Sequence, residues 1–192
     1  MFPRPDFFSG ALLNFAENLL LPENADVSEA ATALITVTEI EGQLVSTTWA
    51  ELREAVRRCT NALRAAGLKP RDVVAGFVSN HAQALVAMLS AAAVGAIWTG
   101  ISPDNGVSAV LDRLAQISPK VLFADNGGVY NGKPWSSTDK TSVIADQLKS
   151  NGLELVVVIG NIEGDLALDE LRSKGLVAAE YKKFLSRWVT GT

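Results

Sequence analysis

The central stretch of the sequence is residues 73–104, VVAGFVSNHAQALVAMLSAAAVGAIWTGISPD. It opens with the β-branched and aromatic run 73–77, continues with the helix-forming residues 82–93, and resumes an extended run at Ile97 after a stop at Gly95. Apolar residues occupy nearly every side of both the run and the helix. This pattern is typical of a strand covered on both faces and of a helix deep in a layered α/β domain. We therefore predict a buried strand–helix–strand unit.

The apolar residues 84–98 leave a second interpretation, a helix that spans a membrane. Only Ser90 interrupts this run. The run is nevertheless shorter than the roughly 20 residues that a bilayer requires, and Gly95 breaks it. We therefore favour the buried core and predict that Ser79 or Asn80 caps the helix.

Further strands and helices alternate outward from this unit. Extended runs start at Val73, Ile97, Val121 and Leu155, and one helix separates each pair. Such alternation requires a parallel sheet with right-handed crossovers. The predicted fold class is α/β, with a mostly parallel doubly wound sheet and helices on both faces. Between the third strand and its helix, we predict a glycine-rich loop over residues 125–138.

The N-terminal part predicts a small hairpin followed by a well-marked helix. Residues 33–39 and 43–47 flank Glu41-Gly42, which favours an antiparallel turn. Thr48 and Glu51 then form a capping box. In the helix that follows, one apolar stripe makes Cys59 a core residue.

The domain organisation follows from these elements. Residues 1–32 form an N-terminal extended segment with a short helix, and residues 33–165 form the first α/β subdomain. Residues 166–192 are predicted as two helices separated at Gly175, with no further strand.

Composition excludes several classes of function. Of 192 residues, 48% are hydrophobic and 20% are charged, which is typical of a globular protein. The net charge of −4 argues against a nucleic-acid partner. Cys59 is the only cysteine and His81 the only histidine, so intramolecular disulfides and sites that need two imidazoles are excluded. The lone cysteine, with no signal peptide in the N-terminal sequence, predicts a cytoplasmic location.

The carboxyl ends of the strands are where a doubly wound sheet binds ligands. None of them carries G-x-G-x-x-G or G-x-x-x-x-G-K-[ST]. The nearest acids are Asp104, Asp112 and Asp125, and no spacing pairs two of them for acid–base chemistry or Mg²⁺. We expect structural roles for all three. A Ser-His-Asp triad is possible only with His81 as the base, and an ordinary first-turn role is favoured for it.

Several ordered blocks carry a family resemblance that spacing alone does not provide. They are LNFAENLL (13–20), TWAEL (48–52), AAGLKPRDVVA (65–75), GAIW (95–98), SPD (102–104), VLDRLAQISPKVLF (110–123) and YNGK (130–133). Together they resemble the AMP-forming acyl-CoA synthetases of the adenylate-forming superfamily, and most closely the acetoacetyl-CoA synthetase branch. One departure is Asn105, where the family tends to have an aromatic residue.

The resemblance implies an enzyme that adenylates a carboxylic acid with ATP and Mg²⁺ and then transfers the acyl group to coenzyme A. This chain would correspond to the first α/β subdomain. The family's Ser/Thr/Gly-rich phosphate loop, its adenine contacts and its lid lysine have no counterpart in these residues. The resemblance therefore implies an N-terminal fragment of an acid–CoA ligase that is inactive alone.

The resemblance also implies a coenzyme A contact in the segment YNGK. A basic residue at this place in related acetyl-CoA synthetases helps to hold the nucleotide phosphate, which assigns that role to Lys133. Tyr130 would stack on or pack near the adenine. The alternative for Lys133 is a solvated lysine without a ligand.

Two other hypotheses stay open. The chain is a non-catalytic nucleotide- or coenzyme A-binding module, or it is an interaction piece that self-associates. The candidates for a self-association patch are Phe2, Phe7, Phe8 and Trp188.

Overall fold

The computed structural model describes residues 9–22, 27–37 and 44–186. The helices and strands, in chain order, are α1 (Phe15–Leu20), β1 (Thr32–Val37), β2 (Leu44–Thr48), α2 (Trp49–Ala65), β3 (Val73–Phe77), α3 (Ala82–Val94), β4 (Ile97–Ile101), α4 (Val107–Leu114), β5 (Val121–Asp125), β6 (Gly127–Tyr130), β7 (Lys133–Ser136), α5 (Thr138–Lys149), β8 (Leu155–Ile159), α6 (Leu168–Ser173), β9 (Val177–Glu180) and α7 (Tyr181–Ser186).

The main sheet confirms the predicted α/β class. Its strand order is β4-β3-β5-β8-β9, and every neighbouring pair is parallel. Strands β3, β4, β5 and β8 begin at the residues that the sequence predicts. All residues of β5 and β8 are buried. Continuous burial of this kind requires cover on both faces of the sheet.

Two helical layers provide that cover. Helices α1, α2, α3 and α7 pack on one face, where Phe123 of β5 points. Helices α4, α5 and α6 pack on the other face, against Leu122 and Ala124. Because successive strand residues point to opposite faces, one strand contributes to both cores.

The 73–104 unit is buried only in part. Strand β3 and the inner side of α3 are buried, as predicted. Strand β4 lies at an edge of the described sheet, so Ile97 is 54% exposed. The expectation of a buried second run was therefore wrong for β4. The helix cap also differs, because the Nδ1 atom of His81, rather than Ser79 or Asn80, accepts a hydrogen bond from the Ala84 amide at 3.1 Å.

The segment after residue 166 contains a strand that was not predicted. Helix α6 ends before Gly175, whose φ is 75°. Strand β9 then pairs with β8, from Leu155 opposite Val177 to Val158 opposite Glu180. The prediction of two helices without a strand was wrong here, because sheet pairing overrides the helical preference of Ala178 and Ala179. Residues 187–192, including Trp188, lie outside the described part of the chain.

The N-terminal hairpin is confirmed as a separate two-stranded sheet. Strands β1 and β2 pair antiparallel, and the predicted turn at Glu41-Gly42 lies outside the described residues. The capping box is also confirmed. The Glu51 amide donates to Thr48 Oγ1 at 3.2 Å, and the Thr48 amide donates to Glu51 Oε2 at 2.8 Å.

Helix α2 places Cys59 against α3. The side chain is fully buried, as predicted, and lies beside Ser90. Burial raises the pKa of the Cys59 thiol to about 12, although the Ser90 hydroxyl opposes the shift. In the described ranges, no helix is long and apolar enough to cross a membrane.

Candidate functional site

The carboxyl ends of four parallel strands meet at one edge of the sheet. Strand β3 leads into residues 78–81, β4 into residues 102–106, and β8 into residues 160–167. Strand β5 leads directly into β6 and β7. This edge is where the sequence predicts a ligand site.

Asp125, the last residue of β5, holds the turn that follows β3. Its side chain is 0% exposed. Oδ2 accepts a hydrogen bond from the Ser79 amide at 2.7 Å, and Oδ1 lies 2.9 Å from His81 Nε2. Because His81 Nδ1 accepts from the Ala84 amide, the ring proton is assigned to Nε2, which donates to Asp125. The pair therefore joins β5 to the start of α3.

These contacts decide the role of His81. Both of its ring nitrogens are occupied, one by a backbone amide and one by a carboxylate. A general base for a serine nucleophile needs a free ring nitrogen directed at the hydroxyl. The described residues therefore form no Ser-His-Asp triad, and Asp125 has the structural role expected for it.

Asn126 connects β5 to the loop after β8. Its Oδ1 accepts from the amides of Asn161 at 2.8 Å and Ile162 at 3.2 Å, while its Nδ2 donates to the Ile162 carbonyl at 2.9 Å. The Ser137 hydroxyl donates to the Asp125 carbonyl. Asp125 and Asn126 thus hold three segments in place: the loop after β3, the loop after β8 and the turn into α5. Sequence reasoning missed Asn126; the signal was an acid–amide pair directly after a buried run.

Within the predicted loop of residues 125–138, residues 127–136 form a β-hairpin. Strands β6 and β7 pair antiparallel around Asn131 and Gly132, whose φ angles are 51° and 71°. Two residues with positive φ are the mark of a type I′ turn, for which Asn-Gly is the preferred sequence. The Asn-Gly dipeptide was therefore the overlooked signal.

The base of this hairpin requires a glycine. A Cβ atom on Gly127 would lie 2.1 Å from the Trp135 carbonyl oxygen and 2.6 Å from Ile162. Only a residue without a side chain permits this approach.

The two residues expected to contact coenzyme A lie side by side at the hairpin tip. Tyr130 pairs directly with Lys133 across the turn, so both side chains project from the same face. Tyr130 is 73% exposed, and Lys133 is also exposed. Within the described ranges, no acidic side chain forms an ion pair with Lys133. The geometry leaves an aromatic ring and an ammonium group accessible together.

A separate cleft of about 780 Å³ lies between strand β1 and the carboxyl ends of β3 and β4. Its walls include Ile35, Val37, His81, Trp98, Ser102 and Asp104. Tyr130 and Lys133 are not among its lining residues. The structure therefore separates the predicted coenzyme A contacts from this cleft.

The described residues assemble no cation site, and they do not include the residues predicted for self-association. Among the residues described, no group of three His, Cys, Asp or Glu side chains is placed to hold a metal ion. Asp104 is exposed and hydrogen-bonded to Ser102 at 3.1 Å, and Asp112 is exposed on α4. Phe2, Phe7, Phe8 and Trp188 lie outside the described ranges, so that patch stays a prediction.

Known proteins resemble the chain over most of its length. The model of the AMP-binding enzyme family matches residues 21–181. Malonamoyl-CoA synthetase from Penicillium aethiopicum is 51% identical over 165 residues, which cover 85% of this chain and 22% of that protein. Acetoacetyl-CoA synthetase from Macaca fascicularis is 40% identical over 165 residues, covering 86% and 24% respectively.

A solved structure shares the fold. The acetoacetyl-CoA synthetase from Streptomyces lividans matches with a TM-score of 0.79 and 34% identity, over 91% of this chain and 25% of that one. The chain therefore spans about a quarter of the length of the relatives it matches.

Proposed function

Because the chain belongs to the AMP-binding enzyme family, we propose that it forms the first α/β subdomain of an acid–CoA ligase. The whole enzyme would join acetoacetate, or an acid of the same shape, to coenzyme A while cleaving ATP to AMP and pyrophosphate. The observation that carries the proposal is the agreement of fold and sequence with the Streptomyces enzyme. Residues 33–165 would form the subdomain core, with residues 1–32 and 166–192 flanking it.

The names of the relatives support one substrate class. Acetoacetate and malonamate share a carboxylate, a methylene and a carbonyl group, and differ only in a terminal methyl or amino group. An enzyme related to ligases for both acids is expected to select a short acid with a carbonyl at the β position. We propose this class as the substrate.

Lys133 and Tyr130 would contribute the coenzyme A contact. The Lys133 ammonium can serve as a point charge for a nucleotide phosphate. The Tyr130 ring offers a face on which adenine can stack. Both groups are exposed on one face of the hairpin. The neighbouring position of a cation and a ring fits a ligand with a phosphate beside a base.

ATP and Mg²⁺ would supply the activation of the acid in the whole enzyme. We assign no Mg²⁺ contact to this chain, because the part of it that the structure describes assembles no group of three candidate ligands. Stabilising the charge of phosphoryl transfer needs preorganised donors. The 192 residues contain no Ser/Thr/Gly-rich segment ending in Pro-Lys. We therefore propose that the chain alone does not release pyrophosphate.

We also propose a cytoplasmic location, which the single, free and buried Cys59 supports.

A chimera tests the proposal. Residues 21–181 replace the matching residues of the Streptomyces lividans acetoacetyl-CoA synthetase, and acetoacetate-dependent pyrophosphate release is measured. We expect the folded chimera to be active and the 192-residue chain alone to match a mock preparation. A chimera that melts cooperatively but releases no pyrophosphate would overturn the proposal, as would turnover by the chain alone.

Self-association is a second candidate, and the β1–β2 hairpin favours it. Ile35, Val37 and Leu44 lie on one face of this hairpin, and each is more than half exposed. Light scattering over a range of concentrations tests the idea, with Val37→Lys as the variant that disrupts the apolar face. Wild-type chain that stays monomeric throughout would remove this candidate.

A further inference from the structure

Lys140 occupies an unusual position in the first turn of α5, which spans Thr138–Lys149. The amino end of a helix carries partial positive charge, so acids such as Asp139 are favoured there and cations are not. The Lys140 side chain is therefore placed against the local electrostatic preference. The contacts that Lys140 makes outside the helix must offset this unfavourable interaction with the positive end of α5.

Those contacts belong to two different elements. The Lys140 ammonium donates to the Pro103 carbonyl at 3.1 Å and lies 3.5 Å from the Asn105 carbonyl, both in the loop between β4 and α4. The same ammonium lies 5.8 Å from the centroid of the Trp135 ring in β7. This distance is within the range of a cation–π contact. One charge thus bridges a loop and a strand.

Trp135 transmits this contact to the whole hairpin. Its ring lies 3.2 Å from the position that a Cβ atom on Gly128 would take, and its carbonyl closely approaches Gly127. Trp135 therefore packs across the base of the hairpin. The tip of the same hairpin carries Tyr130 and Lys133.

We propose that Lys140 is a positioning residue that holds the β6–β7 hairpin and the β4–α4 loop in one arrangement, and so fixes where Lys133 meets coenzyme A. Lys140 does not itself contact the ligand. The inference rests on the coenzyme A role proposed above for Lys133.

Hydrogen exchange of the 192-residue chain tests the bridge without any ligand. In Lys140→Met, the amides of the non-proline residues in 102–106 and 127–136 should exchange about tenfold faster, while amides in the last turns of α5 stay unchanged. Lys140→Arg should restore protection, because a guanidinium also donates to carbonyls and stacks on rings. Unchanged exchange in the hairpin would overturn the bridge. If Lys140→Met is insoluble, Trp135→Leu removes the other side of the same contact.

Calorimetric titration with coenzyme A tests the consequence. We expect Lys140→Met to weaken binding by about fivefold and Lys140→Arg to bind like the wild type. In a Lys133→Met background, the loss caused by Lys140→Met should become clearly smaller, because Lys140 acts mainly through the position of Lys133. Equal losses in both backgrounds would overturn the positioning role. A wild-type chain that binds no coenzyme A would instead overturn the proposed role of Lys133, and the exchange experiment would still decide the bridge.

Discussion

The two ends of the β6–β7 hairpin differ in almost every respect. At its base, Asp125 and Asn126 are buried, and all their side-chain oxygen and nitrogen atoms are hydrogen-bonded. At its tip, Tyr130 and Lys133 are exposed. The polar groups at the base hold loops together, whereas those at the tip are accessible to a ligand. Stability and binding should therefore respond to different substitutions.

The largest effect is expected at the base. Asp125→Ala leaves the Ser79 amide and the His81 Nε2–H without their acceptor, and each lost acceptor carries a desolvation cost. We expect unfolding by urea to show a loss of about 3 kcal/mol. The control is Asp146→Ala on the exposed side of α5. If the two variants lost the same free energy of unfolding, the buried carboxylate would contribute no more to stability than the exposed one.

A second prediction tests the close approach at Gly127. Gly127→Ala places a methyl group 2.1 Å from the Trp135 carbonyl oxygen, so the backbone must shift. We expect a loss of about 2 kcal/mol in the free energy of unfolding. Gly160→Ala is the matched control, because its φ lies outside the left-handed region and the new methyl group would lie at an ordinary contact distance, 3.5 Å, from Leu166. A neutral Gly127→Ala would show that the hairpin base tolerates repacking.

The tip should show the opposite response. Lys133→Ala is expected to change the free energy of unfolding by less than about 0.5 kcal/mol, as is usual for surface substitutions. Coenzyme A binding, measured by calorimetry, should weaken about tenfold, because a charge-assisted contact to a phosphate is lost. Lys182→Ala, another exposed lysine, should bind normally. If Lys133→Ala left the affinity for coenzyme A unchanged, the proposed binding role of the hairpin tip would be wrong.

The smallest effect concerns an exposed carboxylate that is as well bonded as Asp125. Hydrogen bonds from Arg57 and Arg58 lower the pKa of Glu54 from 4.5 to about 2. A lowered pKa in the folded state contributes stability that is present above pH 4.5 and lost as the pH falls towards 2. Because the Glu54 side chain is 39% exposed, solvent screens the pair, and Glu54→Gln should cost less than about 0.5 kcal/mol.

Urea unfolding of wild type and Glu54→Gln at several pH values checks this prediction. The difference between the two should shrink as the medium is acidified. A gap that grows on acidification would contradict the assigned sign.

Local patterns predicted β3, β4, β5 and β8 of the main sheet, but the order of the strands stayed hidden. The runs 155–159 and 121–124 are apolar throughout, so their burial follows directly from composition. The run at Ile97, IWTGI, is also largely apolar, yet β4 lies at an edge of the described sheet, because nothing local encodes a strand's neighbours. Strand β9 was missed because its alanines favour helix until β8 offers hydrogen bonds.

In the candidate site, too, local features were predictable from the sequence and long-range contacts were not. The hairpin tip was predictable in principle, because Asn131-Gly132 is a local turn signal. The contact between His81 and Asp125 joins residues 44 positions apart, and only the adjacency of β3 and β5 brings them together. Long-range pairs of this kind depend on the assembled sheet, which local sequence patterns do not reveal.

The lone thiol in the α2–α3 interface gives the chain a built-in reporter of its own motions. A thiol reagent reacts with the thiolate, and Cys59 is both fully buried and held in the protonated form. Labelling can therefore proceed only during moments when α2 separates from α3. The labelling rate at neutral pH would therefore report how often those openings occur in the native protein, with no introduced probe.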